Sequence, residues 1–453
     1  MLRAALAVGA AAGTGALQSG VARASADRPT TRPPAVRRPG SLPYPHLKAG
    51  TDTIPQIKHI VVLMMENHSY DNHLGMLQRP GANGFTLGSD GRPTAQNPYA
   101  DGKIQHAFRM PTTCQLSGAP SQTWTNAHVQ LAGGKLDGFV VSGSGPVAMG
   151  YWEKADLPFY YSLASTFPLA DHYFCSVLGQ TFPNRRYLIS ATSMGMINDG
   201  VPDPVQYPAN GTIFDHLHKA GVSMADYFTR YDSVLPTGTM ELYPELLVRH
   251  PGAVKDTDDF FAAAKNGTLP GFSIVEPNYS KNSEENPQNI ASGEQFAATV
   301  IDAVMSGPAW ESTLLIWTYD EHGGYYDHVV PPAAPAPDNI GPDTNGGPVY
   351  TGFKQYGFRV PCAIVSPWAR PDFVSHAVYD HTSILALVEH KWNLPAMTHR
   401  DAQAHNMLDM LDLSAPAFRT PPKLAKPLLD TDPSALACNT AGPGTIPPAG
   451  SVT

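Results

Sequence analysis

Apolar residues in this chain gather into short unbroken runs, and the two clearest runs end in acids. Ile57–Met65 (IKHIVVLMM) closes on Glu66-Asn67-His68-Ser69-Tyr70-Asp71, and Thr313–Tyr319 (TLLIWTY) closes on Asp320-Glu321-His322-Gly323-Gly324. Continuous aliphatic runs of this length read as strands buried on both faces, as in parallel sheets. Val222 to Phe228, Gly271 to Val275 (closed by Glu276) and Val360 to Val365 are further strand candidates, while 292–306 and 382–392 carry helical spacing. Strand–helix alternation predicts an α/β fold with a central, mostly parallel sheet flanked by helices.

In such sheets ligands gather beyond the carboxyl ends of the strands. Any one of Glu66, Asp320 and Glu321 is by itself an ordinary surface acid past a strand end. Three acids and the Asn67 amide at two matching ends, about 250 residues apart in sequence, point to a shared site. Packed together, the acids raise one another's pKa unless a cation neutralises them. Oxygen donors without thiolate favour one divalent ion of hard or borderline type: Ca, Mg or Zn.

Between the clusters, Thr181 followed by Pro183 and an apolar periodic run marks a helix start. Thr181 there is either a simple N-cap or a nucleophile. A hydroxyl in the positive field of a helix N-terminus, beside free N–H groups and a metal, is favoured as alkoxide and as a phosphate partner. Asn184 and Arg185 fall one turn in, placed to hold phosphoryl oxygens or to cap and pack.

Charge and chain ends refine this picture. Of 30 Lys/Arg and 39 Asp/Glu, seven basic residues and one acid lie in the first fifty positions, leaving a formal −15 on the rest. An acidic body repels a phosphate backbone, so nucleic acid is not the expected partner. Residues 1–26 read as a signal peptide, with Arg3, an apolar run from Ala4 to Leu17 and an Ala-x-Ala site, so export to the envelope or medium is expected. Residues 27–50 read as a poorly ordered Pro/Arg-rich linker, 51–415 as one catalytic domain with insertions such as 78–150 and 231–262, and 416–453 as a Pro/Ala-rich tail. Cys114, Cys175, Cys362 and Cys438 allow three pairings in an oxidising compartment.

Three motifs in order, Glu66-Asn67-x-Ser69-Tyr70-Asp71, Leu178-Gly179-x-Thr181-x-Pro183-Asn184-Arg185 and Tyr319-Asp320-Glu321-His322-Gly323-Gly324-Tyr325-Tyr326-Asp327-His328-Val329-x-Pro331-Pro332, resemble the bacterial phospholipase C and acid phosphatase phosphoesterases. The resemblance runs from about Ile57 to Leu394 and implies an alkaline-phosphatase-like sandwich. It further implies that Glu66, Asn67, Asp320 and Glu321 bind one metal, and that Thr181 both ligates it and attacks a phosphoester. It makes His328 the first candidate for proton transfer, with Asp327 orienting it or packing structurally, and His322 and His128 the next. His381 is expected to be a helix-start or surface residue.

Two positions depart from the pattern. Glu284-Glu285-Asn286-Pro287 stands where many relatives have His-Pro, and Gln122-Thr123-Trp124 where many have His-x-Trp. Amides cannot donate a proton at working pH, so acid–base duty falls on fewer groups. The expected activity is a phospholipase C-type phosphodiesterase, a monomer taking a phospholipid or small phosphoester with transient membrane-surface contact. The alternatives are a broad acid phosphatase and, from another class, a non-catalytic envelope binding protein. A sulfatase is disfavoured because Thr181 does not fit the Cys-x-Pro-x-Arg pattern.

Overall fold

The computed structural model describes residues 36–115, 120–201, 205–229, 238–437 and 446–453. Everything below concerns the unit Arg37–Thr453. The signal-peptide expectation, at 1–26, lies outside the described residues. In chain order the strands are β1 (His59–Met65), β2 (Gln96–Pro98), β3 (Ile104–His106), β4 (Phe108–Arg109), β5 (Gly150–Tyr151), β6 (Leu169–Ala170), β7 (Met224–Tyr227), β8 (Val254–Lys255), β9 (Phe272–Val275), β10 (Thr313–Tyr319), β11 (Cys362–Val365) and β12 (Val374–Ser375). Eight of them form one sheet in the order β12-β6-β11-β10-β1-β9-β7-β8. Only β11 runs against the rest, pairing antiparallel with β10 and β6. The expected α/β architecture, a mostly parallel sheet flanked by helices, is the observed one.

The central strands are buried along their length, which is why they read as unbroken apolar runs: β10 is buried at every residue and β1 at all but His59. Each fully buried Val, Leu or Ile adds about 1.5–3 kcal/mol relative to exposure, so these strands stabilise the sheet centre strongly. β1 and β10 pair in parallel with Met65 opposite Tyr319, so Glu66 and Asp320 leave the sheet at the same level. β9 pairs with the other side of β1 and delivers Glu276 beside them.

Four helices near these strand ends matter for the site: α1 (Tyr70–Leu74), α2 (Trp124–Leu131), α3 (Pro158–Thr166) and α4 (Thr181–Ser190). The apolar periodicity at 292–306 and 382–392 belongs to helices Ile290–Ser306 and His381–Trp392. Among the described residues no helix is long and apolar enough to cross a membrane.

The segments expected to be a loose linker and tail are instead fastened to the body wherever they are described. Asn393, in a left-handed conformation at the end of helix His381–Trp392, donates through Nδ2 to the carbonyls of Tyr44, Leu47 and Lys48 at 3.0–3.2 Å. Arg37 reaches buried Glu389 at 2.8 Å. At the other end Leu428 N–H donates to Glu294, and Thr453 pairs with Ile104 of β3 through both backbone groups. Proline-rich chain lacks helical or strand periodicity, yet its carbonyls accept hydrogen bonds like any others. Cys114 is disulfide-bonded. Cys175 and Cys362 are free and buried, and Cys438 lies outside the described residues.

Candidate active site

Glu66 and Asn67 follow β1 directly, and Asp320 and Glu321 follow β10. Asn67 takes a left-handed conformation (φ 67°), which an asparagine tolerates better than most residues and which turns the chain sharply off the sheet. Its N–H donates to Asp320 Oδ1 at 3.1 Å, and the Glu321 N–H donates to the same oxygen at 2.7 Å. Gly323 lets the two turns meet. A Cβ there would lie 1.8 Å from the Asn67 carbonyl oxygen, and its φ of +65° is itself unfavourable for other residues. Its N–H donates to Glu321 Oε2 at 2.7 Å.

Thr181 opens α4 as its first helical residue, not as its N-cap. That position belongs to Gln180, whose side chain makes no capping bond. The Thr181 hydroxyl is thereby left free of helix duty and donates to Asn67 Oδ1 at 3.4 Å, with the residue only 7% exposed. Asp199 does the capping instead, accepting from the Phe182 N–H at 2.7 Å and from Gln180 Nε2 at 2.9 Å. Thr181, Glu66, Asn67, Asp320 and Glu321 therefore share one buried locus.

Arg185, one turn into α4, is the cation of this locus. Its guanidinium meets Glu276 at 2.6 Å, Asp320 at 3.1 Å and Glu66 at 3.7 Å, and lies over the Tyr279 ring. Burial raises the pKa of Glu66, Asp320 and Glu321. Arg185 opposes the rise at Glu66 and Asp320, whereas at Glu321 the neighbouring Asp320 adds to it. A single guanidinium does not offset all these carboxylates. The residues fit a divalent ion on a further observation: Glu66 Oε2 and Glu321 Oε1 are buried without a hydrogen-bond partner. Buried carboxylate oxygens are otherwise almost always satisfied, and hard cations are held by such oxygens.

The expected proton-transfer residues divide. His322 Nε2 faces Gln130 Oε1 at 2.8 Å; because Gln130 Nε2 is committed to Ser121 O and Ser144 Oγ, that ring nitrogen carries the proton. Its Nδ1 is then a bare lone pair 3.3 Å from Glu321 Oε2, and burial pulls its pKa down to about 3. His128, two residues before Gln130 on α2, donates from Nδ1 to the Trp124 carbonyl at 2.7 Å and leaves Nε2 buried without a partner. It stacks on Tyr350, with ring centroids 3.9 Å apart. Trp124 of the same helix approaches Gly179, two residues before Thr181.

His328 and Asp327 belong to another cluster. His328 Nδ1 is 2.6 Å from Asp71 and Nε2 is 3.0 Å from Asn83 Oδ1, so both ring nitrogens are occupied. Asp327 pairs with Arg359, which also holds Asp71. Asn184 and Arg185 likewise have partners other than the expected phosphoryl oxygens. Asn184 closes the 177–180 turn by accepting from Val177 N–H and donating to the Gly179 and Gln180 carbonyls. Arg185 is consumed by its carboxylates.

Residues 57–395 match the Phosphoesterase family along most of the chain. The chain belongs to that family. This phosphoesterase is 31% identical over 434 residues to phospholipase C A of Mycobacterium tuberculosis, spanning 85% of this chain and 83% of that protein. It is 33% identical over 382 residues to non-specific phospholipase C1 of Arabidopsis thaliana, spanning 77% and 69%. Among solved structures, a protein of the alkaline phosphatase superfamily from Vibrio parahaemolyticus aligns over 82% of this chain and 73% of its own at 10% identity, with a TM-score of 0.36. The phosphoesterase is accordingly a hydrolase acting on phosphoric esters.

Several residues of the phosphoesterase site escape a motif reading. Glu276 was visible as a third acid closing a third strand, yet its pairing with Arg185 needs the β1–β9 neighbourhood. His381 opens helix His381–Trp392, the helix start expected of it, but it is fully buried and lies 2.7 Å from the Asp320 carbonyl, bracing that turn from behind. Asp199 and Glu285 add two more carboxyls near the site. Burial pushes Asp199 up to about 6, and burial together with Asp320 and Asp199 pushes Glu285 up to about 7. Where relatives are expected to carry His-x-Trp, Thr123 caps α2; where they carry His-Pro, Asn286 donates to Gln115 and Tyr325.

Proposed function

We propose that this protein is a metal-dependent phosphodiesterase of phospholipase C type that works through a phosphothreonine intermediate. The observation that carries this reading is the convergence of a buried Thr181 hydroxyl, spared helix capping and bonded to the Asn67 amide, with carboxylates from adjacent strand ends, two of whose oxygens lack partners. Glu66, Asn67, Asp320, Glu321 and Thr181 would hold one divalent ion, identity open among Ca, Mg and Zn. When bound, it supplies Lewis-acid stabilisation of the phosphoryl oxygens and lowers the hydroxyl pKa.

The chain's own residues do the rest. Thr181 Oγ1 attacks phosphorus, the Oγ1–P bond forms, the P–O bond to the alcohol breaks and the alcohol leaves with a proton. Water then attacks phosphorus, the P–Oγ1 bond breaks and the hydroxyl regains its proton. For phosphatidylcholine the products are diacylglycerol and phosphorylcholine. His322 Nδ1 and His128 Nε2, both free of protons, would serve as proton acceptors, while Asp199 and Glu285 keep protons closer to neutrality than ordinary carboxyls do. The surplus of site carboxylates favours a singly charged diester, above all one with a cationic headgroup, over a doubly charged monoester. Export is part of the same reading, supported by the N-terminal pattern and the Cys114 disulfide.

The deciding experiment compares p-nitrophenylphosphorylcholine with p-nitrophenyl phosphate on the wild type, Thr181→Ser and Thr181→Ala. We expect faster diester turnover, partial retention in Thr181→Ser, and loss in Thr181→Ala by about 10⁴-fold or more, the scale seen when a nucleophile is removed. Acid quenching should trap the phosphorylcholine group on Thr181 from the diester, and phosphate from the monoester, each readable by peptide mass spectrometry. Faster monoester turnover would move the assignment to a broad acid phosphatase. Undiminished turnover in Thr181→Ala removes the nucleophile, and no turnover of any ester by the wild type favours a binding protein.

A further inference from the structure

A second cluster of ligand-type side chains lies away from Thr181, where β6 and β12 run parallel at one edge of the sheet. Val374 pairs with Leu169 and Ser375 with Ala170, so Asp171 and His376 are the next residues out on neighbouring strands. The Asp171 N–H still donates to the Ser375 carbonyl at 3.2 Å, which fixes their separation. Asp171 is fully buried, and its carboxylate faces outward onto two imidazoles. His172 Nδ1 lies 2.7 Å from Oδ1, and His376 Nδ1 lies 2.9 and 3.0 Å from the two oxygens. The three ligand atoms fall within 4.8 Å of one another.

We propose that Asp171, His172 and His376 form a second divalent-metal site, distinct from the one at Thr181, for a borderline ion such as zinc. Two imidazoles and one carboxylate are a donor set that suits zinc and its neighbours better than calcium or magnesium. The carboxylate is braced from behind, as ligands of metal sites are: Asn83 N–H donates to Oδ2 at 2.8 Å, and Arg359 Nη1 donates to the Asp171 carbonyl at 2.9 Å. The imidazoles are on the solvent side, with side-chain exposures of 26% and 58%, so an ion has an open path and can keep water as a further ligand. Capture displaces the Nδ1 protons and replaces two hydrogen bonds with coordinate bonds.

The other His/Glu cluster, His68, His73 and Glu284, is closed by comparison. It is fully buried, Glu284 is held by Tyr160 and Tyr319, and every imidazole nitrogen has a partner. Near the sheet edge, an ion on Asp171 would tie together a two-residue strand and the loops carrying Asn83 and Arg359. Its expected effect is on stability, not on turnover.

The test uses the full chain stripped of metal with EDTA and titrated with Zn²⁺ or Co²⁺. Wild type, Asp320→Asn, His376→Asn and the His172→Asn/His376→Asn double variant are compared by calorimetry, Co²⁺ d–d absorption and thermal unfolding. We expect two equivalents on wild type and one on each variant, held at the sheet-edge cluster in Asp320→Asn and at the Thr181 locus in the double variant. Zinc should raise the melting temperature of Asp320→Asn, and adding His172→Asn and His376→Asn to Asp320→Asn should abolish that rise. Ester turnover of the double variant should stay within about twofold of wild type, because neither histidine touches the catalytic locus. Equal stoichiometry in wild type and double variant, or no metal bound by Asp320→Asn, overturns the proposal, and neither result bears on Thr181.

Discussion

At Arg185 one guanidinium stands among Glu276, Asp320 and Glu66, all out of contact with bulk water. Removing one member of a buried ionic cluster leaves charge uncompensated, typically at about 3–5 kcal/mol. Arg185→Met should therefore lower the unfolding free energy of the metal-free protein, read from its urea transition, by that order, and a saturating divalent ion should recover part of the loss. An unchanged midpoint would show that the acids are protonated and indifferent to the arginine. His328 offers a check with a defined sign. Burial pulls its pKa down, but Asp71, with help from Asp327, more than offsets this and leaves it above the ordinary imidazole value. A raised folded-state pKa stabilises fully below the unfolded value, about 6.5, and the contribution fades as pH rises through the folded value. The stability gap between wild type and His328→Asn should thus be widest near pH 6 and shrink toward pH 8; a gap that widens with pH would contradict the Asp71 pairing. These residues also show where reading a motif stops. His328 sits in a long, distinctive stretch, yet Asp71 lies 257 positions away and claims it. Glu66, Asp320 and Thr181 were legible because each interrupts or follows a strong apolar pattern, whereas Asp199 and Glu285 sit in loops without one.

Between elements, the tightest constraint is the meeting of the turns after β1 and β10. Gly323→Ala places a methyl group 1.8 Å from the Asn67 oxygen, with a positive φ besides. That turn cannot yield without moving Glu321, whose carboxylate the Gly323 N–H holds. We expect this variant to lose divalent-metal affinity and ester turnover together, measured by calorimetry and p-nitrophenyl release. Wild-type affinity with lost turnover alone would mean that the turn serves some step other than assembly. The sheet was readable at this scale because parallel strands buried on both faces leave continuous runs. Strand order was not, since β6 and β12 are two residues each and carry no period. The ends of the chain were misread for a related reason: hydrogen bonds that Asn393 donates to, and Glu294 accepts from, a proline-rich backbone leave no mark on hydrophobic spacing.

Across the whole molecule, the formal −15 that follows residue 50 includes the acids gathered at the Thr181 locus, so part of it is balanced whenever a divalent ion is held there. Cys175 and Cys362 are buried, and burial raises both thiol pKa values, so neither should react with a thiol reagent in the native protein. Reactivity should appear only with guanidinium; prompt labelling in buffer would mean that the core opens on that time scale. The parallel pairing of Met65 with Tyr319 has a consequence for how this molecule matures. A slip of one residue between β1 and β10 would shift Glu66 against Asp320 by about 3.3 Å and turn alternate side chains to the opposite face. Chains with the wrong pairing could not assemble the carboxylate cluster, so cation binding would draw the folding population toward the correct one. The ion proposed for the Thr181 locus would then also act as a proofreader of the sheet.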